Sequence, residues 1–251
     1  MNFICLIPAR YASTRFPGKP LAKLGGKLVI QHVYERAQAC FESVYVCTDD
    51  ERIYKAVADF GGKSVMTSST HRSGTERCNE AYSKLGINAD VIVNIQGDEP
   101  FIHPSQLEAL KNCFTDSSIE IATLVKPFSE TDGLQALLNP NTPKVVFDEN
   151  MNALYFSRSV VPYLRGVDPS LWLSTHQYYK HIGIYGYRAD ILGKITKLPP
   201  GQLEVAESLE QLRWLENGFT IRVAKTMIET VGIDTPDDLK RAELYLKTLK
   251  V

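Results

Sequence analysis

The chain contains no C-x-x-C pair, no G-x-G-x-x-G, no complete G-x-x-x-x-G-K-[ST], no apolar run of membrane-spanning length and no surplus of either charge. Each absence removes a class of function. The five cysteines, Cys5, Cys40, Cys47, Cys78 and Cys113, are odd in number and lack paired spacing, so neither a disulfide framework nor a thiolate zinc site is indicated. A reducing cytoplasm fits them best. His32, His71, His103 and His176 show no metal-ligand spacing, which removes zinc from the other side. With 28 basic and 29 acidic residues the net charge is −1, without the basic excess that phosphate neutralisation demands of a protein coating nucleic acid. The opening Met1-Asn2-Phe3-Ile4-Cys5-Leu6-Ile7-Pro8 has no basic n-region and too short an apolar run for a signal peptide, so neither export nor membrane insertion is expected. Gly18-Lys19-Pro20 breaks the Walker pattern, and the missing glycine fingerprint argues against a Rossmann dehydrogenase.

What is present is an ordinary soluble composition, 44% hydrophobic and 23% charged over 251 residues, enough for one large α/β domain. Short apolar runs read as buried strands at Phe3–Ile7, Val44–Cys47, Val91–Ile95, Ile119–Val125 and Lys144–Phe147. Helical periodicity fills the intervals at Leu28–Ala39, Glu51–Phe60, Arg72–Leu85 and Pro104–Phe114. Alternation of this kind predicts a doubly wound, mainly parallel sheet that binds its ligand at the carboxyl ends of the strands. The second half is less regular, with strands expected at Ala153–Ser157, His181–Tyr187 and Thr220–Ala224 and helices at Leu203–Glu216 and Pro236–Thr248. Between Tyr163 and Tyr179 the chain is rich in proline, glycine and aromatics and reads as an inserted arm. No repeat and no dividing linker is visible, so residues 1–251 are read as one domain with a smaller arm over about 153–187.

Directly after the first strand, Pro8-Ala9-Arg10-Tyr11-Ala12-Ser13-Thr14-Arg15-Phe16-Pro17-Gly18-Lys19-Pro20 sets three cations in a loop. A triphosphate suits them, because arginine forks grip phosphate oxygens, lysine supplies a point charge and loop amides close the cradle. The bland alternative is a solvated basic loop. Two carboxylates answer the loop. Asp98 follows the run Val91–Ile95 at a strand's carboxyl end, Asp234 follows Val231-Gly232-Ile233 just before a helix, and both can point into one cleft. Magnesium takes oxygen ligands from one or two carboxylates, substrate phosphates and water, so this pair is chemically sufficient. Thr235-Pro236-Asp237-Asp238 reads instead as a capped helix start, and Asp49 and Asp50 as caps of the helix that follows.

The phosphate loop Ile7-Pro8-Ala9-Arg10-Tyr11-Ala12-Ser13-Thr14-Arg15-Phe16-Pro17-Gly18-Lys19-Pro20-Leu21 resembles the signature of the CMP-Kdo synthetases, the 3-deoxy-manno-octulosonate cytidylyltransferases. The resemblance continues colinearly through Cys47–Asp50, Ser73–Arg77, Asn94–Pro100, Ala153–Arg158, His181–Tyr187, Leu209–Arg213 and Val231–Leu239, covering nearly the whole chain. It implies a nucleotide-diphospho-sugar transferase-like fold and transfer of CMP from CTP to the sugar acid of lipopolysaccharide, with Mg2+ as metal, a homodimer and a cytoplasmic location. It assigns Asp98 and Asp234 to the metal, and Arg10, Arg15 and Lys19 to the triphosphate and leaving group. Ala9, Ser73, Gly74 and Arg77 are placed by the same resemblance near the nucleotide, where Arg77 faces phosphate or carboxylate; a capping box is the alternative for Ser73-Gly74-Thr75-Glu76. Gln96, Arg158, His181, Tyr185, Glu210 and Gln211 are implied as a multidentate pocket for the sugar acid. Glu204 and Glu207 are read as a solvated helix face, with a Glu210–Arg213 pair as the structural alternative for Glu210. The 8-amino analogue or a sialic acid as acceptor, or a catalytically silent nucleotide-binding homologue, are the rival readings.

Overall fold

The computed structural model describes residues 1–229 and 232–248, so Val231 of the last motif lies outside the described residues. Two compact units emerge where the sequence suggested one domain with an arm. The first comprises Met1–Leu107, Arg188–Thr196 and, in its last segment, 232–248; the second comprises Glu108–Tyr187 and Lys197–Glu229. The second unit is thus larger than the expected arm, taking in strands on either side of it.

In chain order the first unit runs β1 (Phe3–Ala9), the short hairpin β2 (Lys23–Leu24) and β3 (Lys27–Leu28), α1 (Val29–Gln38), β4 (Ser43–Thr48), α2 (Glu51–Asp59), β5 (Ser64–Met66), α3 (Gly74–Leu85) and β6 (Val91–Asn94). Helix α4 (Pro104–Cys113) then leads towards the second unit. Ile4, Cys5, Leu6 and Ile7 are all essentially inaccessible, as a central strand covered on both faces requires. β1 pairs in parallel with β4 on one side and β6 on the other, and β5 extends the sheet beyond β4. The path β1-α1-β4-α2-β5 moves one way, and α3 carries the chain back to β6. Right-handed crossovers then put α1 and α2 on one face and α3 on the other. They also make the space beyond the carboxyl ends of β1 and β6 the topological switch point, where open α/β sheets bind ligands.

The second unit contains β7 (Ile121–Pro127), α5 (Gly133–Leu138), β8 (Lys144–Phe147), β9 (Ala153–Ser157), α6 (Trp172–Thr175) and β10 (Tyr179–Arg188, whose last residue belongs to the first unit). Helix α7 (Ala189–Ile195) returns to the first unit, α8 (Gln202–Glu207), α9 (Gln211–Glu216) and β11 (Ile221–Lys225) complete the second, and α10 (Pro236–Thr248) closes the first. β7 is parallel to β11 and antiparallel to β10, while β8 and β9 form an antiparallel hairpin. The arm is ordered by a core of Phe128, Leu137, Trp172 and Tyr178. Trp172 Nε1 donates to Val167 O at 3.1 Å and the Tyr178 hydroxyl to Pro162 O at 3.0 Å, giving each buried polar handle a partner.

The helix expected over Leu203–Glu216 is two helices, broken at Ser208 with φ of 50°. Its acidic residues explain the break. Glu204 binds Arg213 through both oxygens, at 2.5 and 2.6 Å, although residues nine apart lie about 180° around a continuous helix and could not meet. Glu207 accepts from Ser157 Oγ at 2.7 Å and Arg158 N at 2.9 Å. Neither is a solvated carboxylate, and Arg213 is paired with Glu204.

Candidate active site

The loop after β1 doubles back on itself. Gly18 sits at φ 72°, donates its N–H to Tyr11 O at 2.8 Å and packs against the Tyr11 ring, which a Cβ at Gly18 would crowd at 3.0 Å. Arg52, paired with Asp50, lies over the same ring, 3.2 Å from its centroid. Lys19 then opens a 3-10 turn with Pro20 buried, so the cation's backbone is held by packing rather than by the loop alone.

Hydrophobic neighbours bring the functional residues together. Phe16, Phe101 and Ile233 meet Leu24, Val29 and Ala242 in one core cluster, each lying within a few residues of a charged group the sequence singled out. Phe16 follows Arg15, Phe101 follows the Asp98 turn, and Ile233 precedes Asp234. The Ile233 amide also donates to Asp98 O at 2.9 Å, stitching the two carboxylate-bearing segments in register. Gly97 is required there, since a Cβ would lie 2.9 Å from Pro8 O.

The outcome is a cation seated between two carboxylates. Lys19 Nζ donates to Asp98 Oδ2 and, at 2.9 Å, to Asp234 Oδ1, and Arg15 Nη2 stands 3.2 Å from Asp234 Oδ2. Burial works to lower the Lys19 pKa, but the Asp98 charge and the hydrogen bonds to Asp98 and Asp234 outweigh it, so the ammonium is held above its ordinary value. Above it opens a polar cleft of about 590 Å³, lined by Ala9, Arg10, Arg15, Lys19, Arg72, Gly74, Gln96, Asp98 and Asp234 among others. That volume suits a nucleotide. Arg10 donates to His71 O, and burial together with the nearby Arg77 charge lowers its pKa.

His71 belongs to a loop clamped by α3. Glu80 accepts from Ser68 N at 2.8 Å, contacts His71 Nε2 and pairs with Lys84 at 2.7 Å, while Glu76 accepts from Arg72 N at 2.8 Å. Burial alone would raise the Glu80 carboxyl, but Lys84, the Ser68 amide and His71 bring it down to about 2. Its stabilising contribution is therefore complete above the unfolded value of 4.5 and lost as the pH falls towards 2. Glu80→Gln is expected to lower the melting temperature most at neutral pH, with the gap to wild type closing near pH 2; a gap independent of pH in thermal scans would contradict this.

Of the other residues implied by the resemblance, Arg77 is placed differently. Its guanidinium is wholly buried behind the cleft, donating to Thr67 Oγ1 at 2.6 Å and standing 3.2 Å from Asp49 Oδ2. It does not line the cleft. Ser73 is the cap of α3, its hydroxyl accepting from Glu76 N at 3.2 Å, so the capping reading accounts for it. Asp238 accepts from Thr235 N at 2.8 Å as the acidic partner in a capping box, and Asp50 accepts from Arg52 N at 2.9 Å as a helix cap. Asp49 is not the cap of α2 but the partner of Arg77.

The residues implied for the sugar lie in the second unit, except Gln96, which donates to Asn94 Oδ1 at 3.2 Å on the wall of the nucleotide cleft. His181 Nε2 meets Thr123 Oγ1 at 3.1 Å under the rings of Phe156 and Tyr185, and this enclosure pushes its pKa down to about 3. It is a neutral imidazole at working pH. Gln211 Nε2 is buried without a hydrogen-bond partner among the described residues, the mark of a polar group that meets a ligand or water. Burial, with the nearby Glu210 charge, raises the Tyr185 pKa well above its usual value. Arg158 differs from expectation: its guanidinium is occupied by the carbonyls of Glu207, Pro140 and Ser208, at 2.5 to 3.2 Å. Lys144, buried in β8, donates to Arg158 O at 2.6 Å and reinforces the same turn.

The Cytidylyltransferase family profile matches residues 4–229. Over 247 residues, 98% of each chain, the sequence is 65% identical to the 3-deoxy-manno-octulosonate cytidylyltransferase of Phocaeicola vulgatus. The chain belongs to this cytidylyltransferase family. A second relative, the 3-deoxy-manno-octulosonate cytidylyltransferase of Bacteroides thetaiotaomicron, is 61% identical over 98% of this chain and 99% of its own. A solved CMP:2-keto-3-deoxy-manno-octonic acid synthetase complexed with CTP superposes with a TM-score of 0.90 at 42% identity, covering 99% of this chain and 100% of that one. In this cytidylyltransferase, Arg72 is the cleft residue that sequence reasoning missed. It sits one place before a helix cap, and only the fold turns that position towards the phosphate loop.

Proposed function

We propose that the protein transfers CMP from CTP to 3-deoxy-D-manno-octulosonate, giving CMP-Kdo and pyrophosphate for lipopolysaccharide synthesis. The observation that carries this reading is Lys19 held between Asp98 and Asp234 at the switch point of a parallel sheet, in a chain 65% identical to a 3-deoxy-manno-octulosonate cytidylyltransferase. The anomeric hydroxyl of the sugar acid attacks the α-phosphorus of CTP. A phosphorus–oxygen bond forms, the bond from the α-phosphorus to the bridging oxygen breaks, pyrophosphate leaves and the hydroxyl proton passes to solvent. Arg10, Arg15 and Lys19 hold the triphosphate and stabilise charge on the departing pyrophosphate. Ala9, Gly74 and Gln96 line the cleft where the nucleoside enters. His181, Tyr185, Glu210 and Gln211 take the sugar acid, with neutral His181 offering a donor or an acceptor rather than a charge, while Arg158 supports this group through the turn it holds.

The donor set fits Mg2+. Two carboxylates that share one ammonium can share a dication, and they offer oxygen alone. Among the described residues no group of three His, Cys, Asp or Glu is placed to hold a metal, so phosphate and water complete the shell. When bound, the ion would neutralise phosphate charge as phosphorus changes partners. Five free cysteines and a CTP substrate suit the cytoplasm, and no helix among the described residues is long and apolar enough to cross a membrane. Exposed Leu154, Tyr163 and Leu171 in the second unit support a homodimer.

The test is pyrophosphate release from CTP and Mg2+ with a panel of acceptors. Turnover is expected with 3-deoxy-manno-octulosonate in preference to its 8-amino analogue and to sialic acids. A preference for either alternative, or CTP binding without turnover, would overturn the assignment.

A further inference from the structure

Resting on that reading of the cleft, we propose that Arg72 is a fourth cation of the nucleotide site, which engages the terminal phosphates of the triphosphate and so sets the preference for CTP over its shorter relatives. Arg72 lines the same cleft as Arg10, Arg15 and Lys19. In the free protein those three are already engaged, Arg10 by the His71 carbonyl, Arg15 by Asp234 and Lys19 by both aspartates. Arg72 is different. Its side chain is 69% exposed, and the contact that holds its guanidinium is one nitrogen 3.4 Å from Glu76 Oε1. An exposed i,i+4 pair of that length is weak and is easily exchanged for phosphate.

Its base, by contrast, is fixed. The Arg72 amide donates to Glu76 Oε2 at 2.8 Å and the Glu76 amide to Ser73 Oγ at 3.2 Å, so the reciprocal cap of α3 anchors the backbone and leaves the guanidinium to swing over the cleft. Glu76 cannot follow, because both backbone bonds tie it to the helix start. The first turn of a twelve-residue helix adds its own attraction for anions, with Gly74 on the cleft wall.

Charge selects the phosphates as the target. Four cations against two carboxylates leave the lining at a formal +2. A terminal phosphate carries about −1.5 to −2 near neutrality, whereas cytosine is neutral and gives no reason for a fourth cation. The sugar acid's carboxylate is the other anion available, and the measurements separate the two.

Titration calorimetry of CTP and of CMP, without sugar acid, onto wild type, Arg72→Gln and Arg72→Lys makes the test. Arg72→Gln keeps a polar side chain and the backbone cap, and is expected to bind CTP about tenfold more weakly while CMP affinity is unchanged, as loss of one charge-assisted phosphate contact predicts. Arg72→Lys should fall between, since a point charge replaces the fork. Unchanged CTP affinity, an equal loss for CTP and CMP, or a rise confined to the KM of the sugar acid would each overturn the proposal. A wild-type protein that binds CTP no better than CMP would overturn it as well, while one that binds neither would remove the nucleotide reading of the whole cleft.

Discussion

Replacement of Lys19 by alanine is expected to cut CTP-dependent pyrophosphate release by about 10³-fold while the protein stays folded. The side chain reaches the floor of the cleft from a 3-10 turn that buried Pro20, the Gly18 turn and the Phe16 contact hold without it. Its side chain is largely enclosed, 14% exposed, so bulk water does not screen its charge as it would at the surface. Lys19→Arg should recover part of the loss, because charge is restored but the fork cannot sit between two carboxylates as a small ammonium does.

The same variant reports on the metal. Without Lys19, Asp98 and Asp234 lose the cation they share, and Arg15, 65% exposed, compensates poorly. Mg2+ is therefore expected to raise the melting temperature of Lys19→Ala more than that of wild type, by thermal scans with and without the ion. An equal response in both would argue against these aspartates as its ligands. Near-normal turnover would remove Lys19 from the chemistry altogether.

Arg77→Ala should fail in a different manner, as a stability defect. The guanidinium is fully buried, and its removal leaves Asp49, 18% exposed, with a carboxylate that has lost its cation and Thr67 Oγ1 without its donor. Breaking a buried pair by removing one partner costs about 3–5 kcal/mol, which for a chain of this size lowers the melting temperature by roughly 10 °C. The folded fraction should keep a KM for CTP within about threefold of wild type, since no bond to the ligand is lost. The reverse pattern, a raised KM at unchanged melting temperature, would return Arg77 to the phosphate-binding role that its motif implied. Thr67 N and Oγ1 both donate to Thr48 O, so this network also ties the ends of β4 and β5 together behind the cleft.

Local signals located most of the scaffold. The strand expected at Val44–Cys47 is Ser43–Thr48, the runs Lys144–Phe147 and Ala153–Ser157 are strands over those same residues, and Pro236–Thr248 is the helix its capping pattern announced. β5 has only three partly buried residues, and the β2–β3 hairpin only four in all; neither carries enough periodicity to be seen. α5, α6 and α7, at seven residues or fewer, escape for the same reason. The Ser208 break was invisible because nothing at residues 203–216 announces that Glu204 must reach Arg213 and Glu207 must reach Ser157.

For the site, residue type and order were sufficient to single out Arg10, Arg15, Lys19, Asp98 and Asp234, because anion-binding cations after a first strand and carboxylates at strand ends are local patterns with a chemical meaning. Their convergence was not local. It arises from the shared core of Phe16, Phe101 and Ile233 and from the Ile233–Asp98 hydrogen bond, contacts between segments 85 or more residues apart in the chain. The same distinction separates two arginines that lie close together in the chain. Arg72 and Arg77 are equal as cations in the sequence, but helical geometry and burial send Arg77 inward to Asp49 and leave Arg72 on the cleft wall. Sequence chemistry thus settles which charges the protein carries and in what local frame, whereas packing settles which of them meet a ligand, because exposure and partnership depend on what the rest of the chain places beside them.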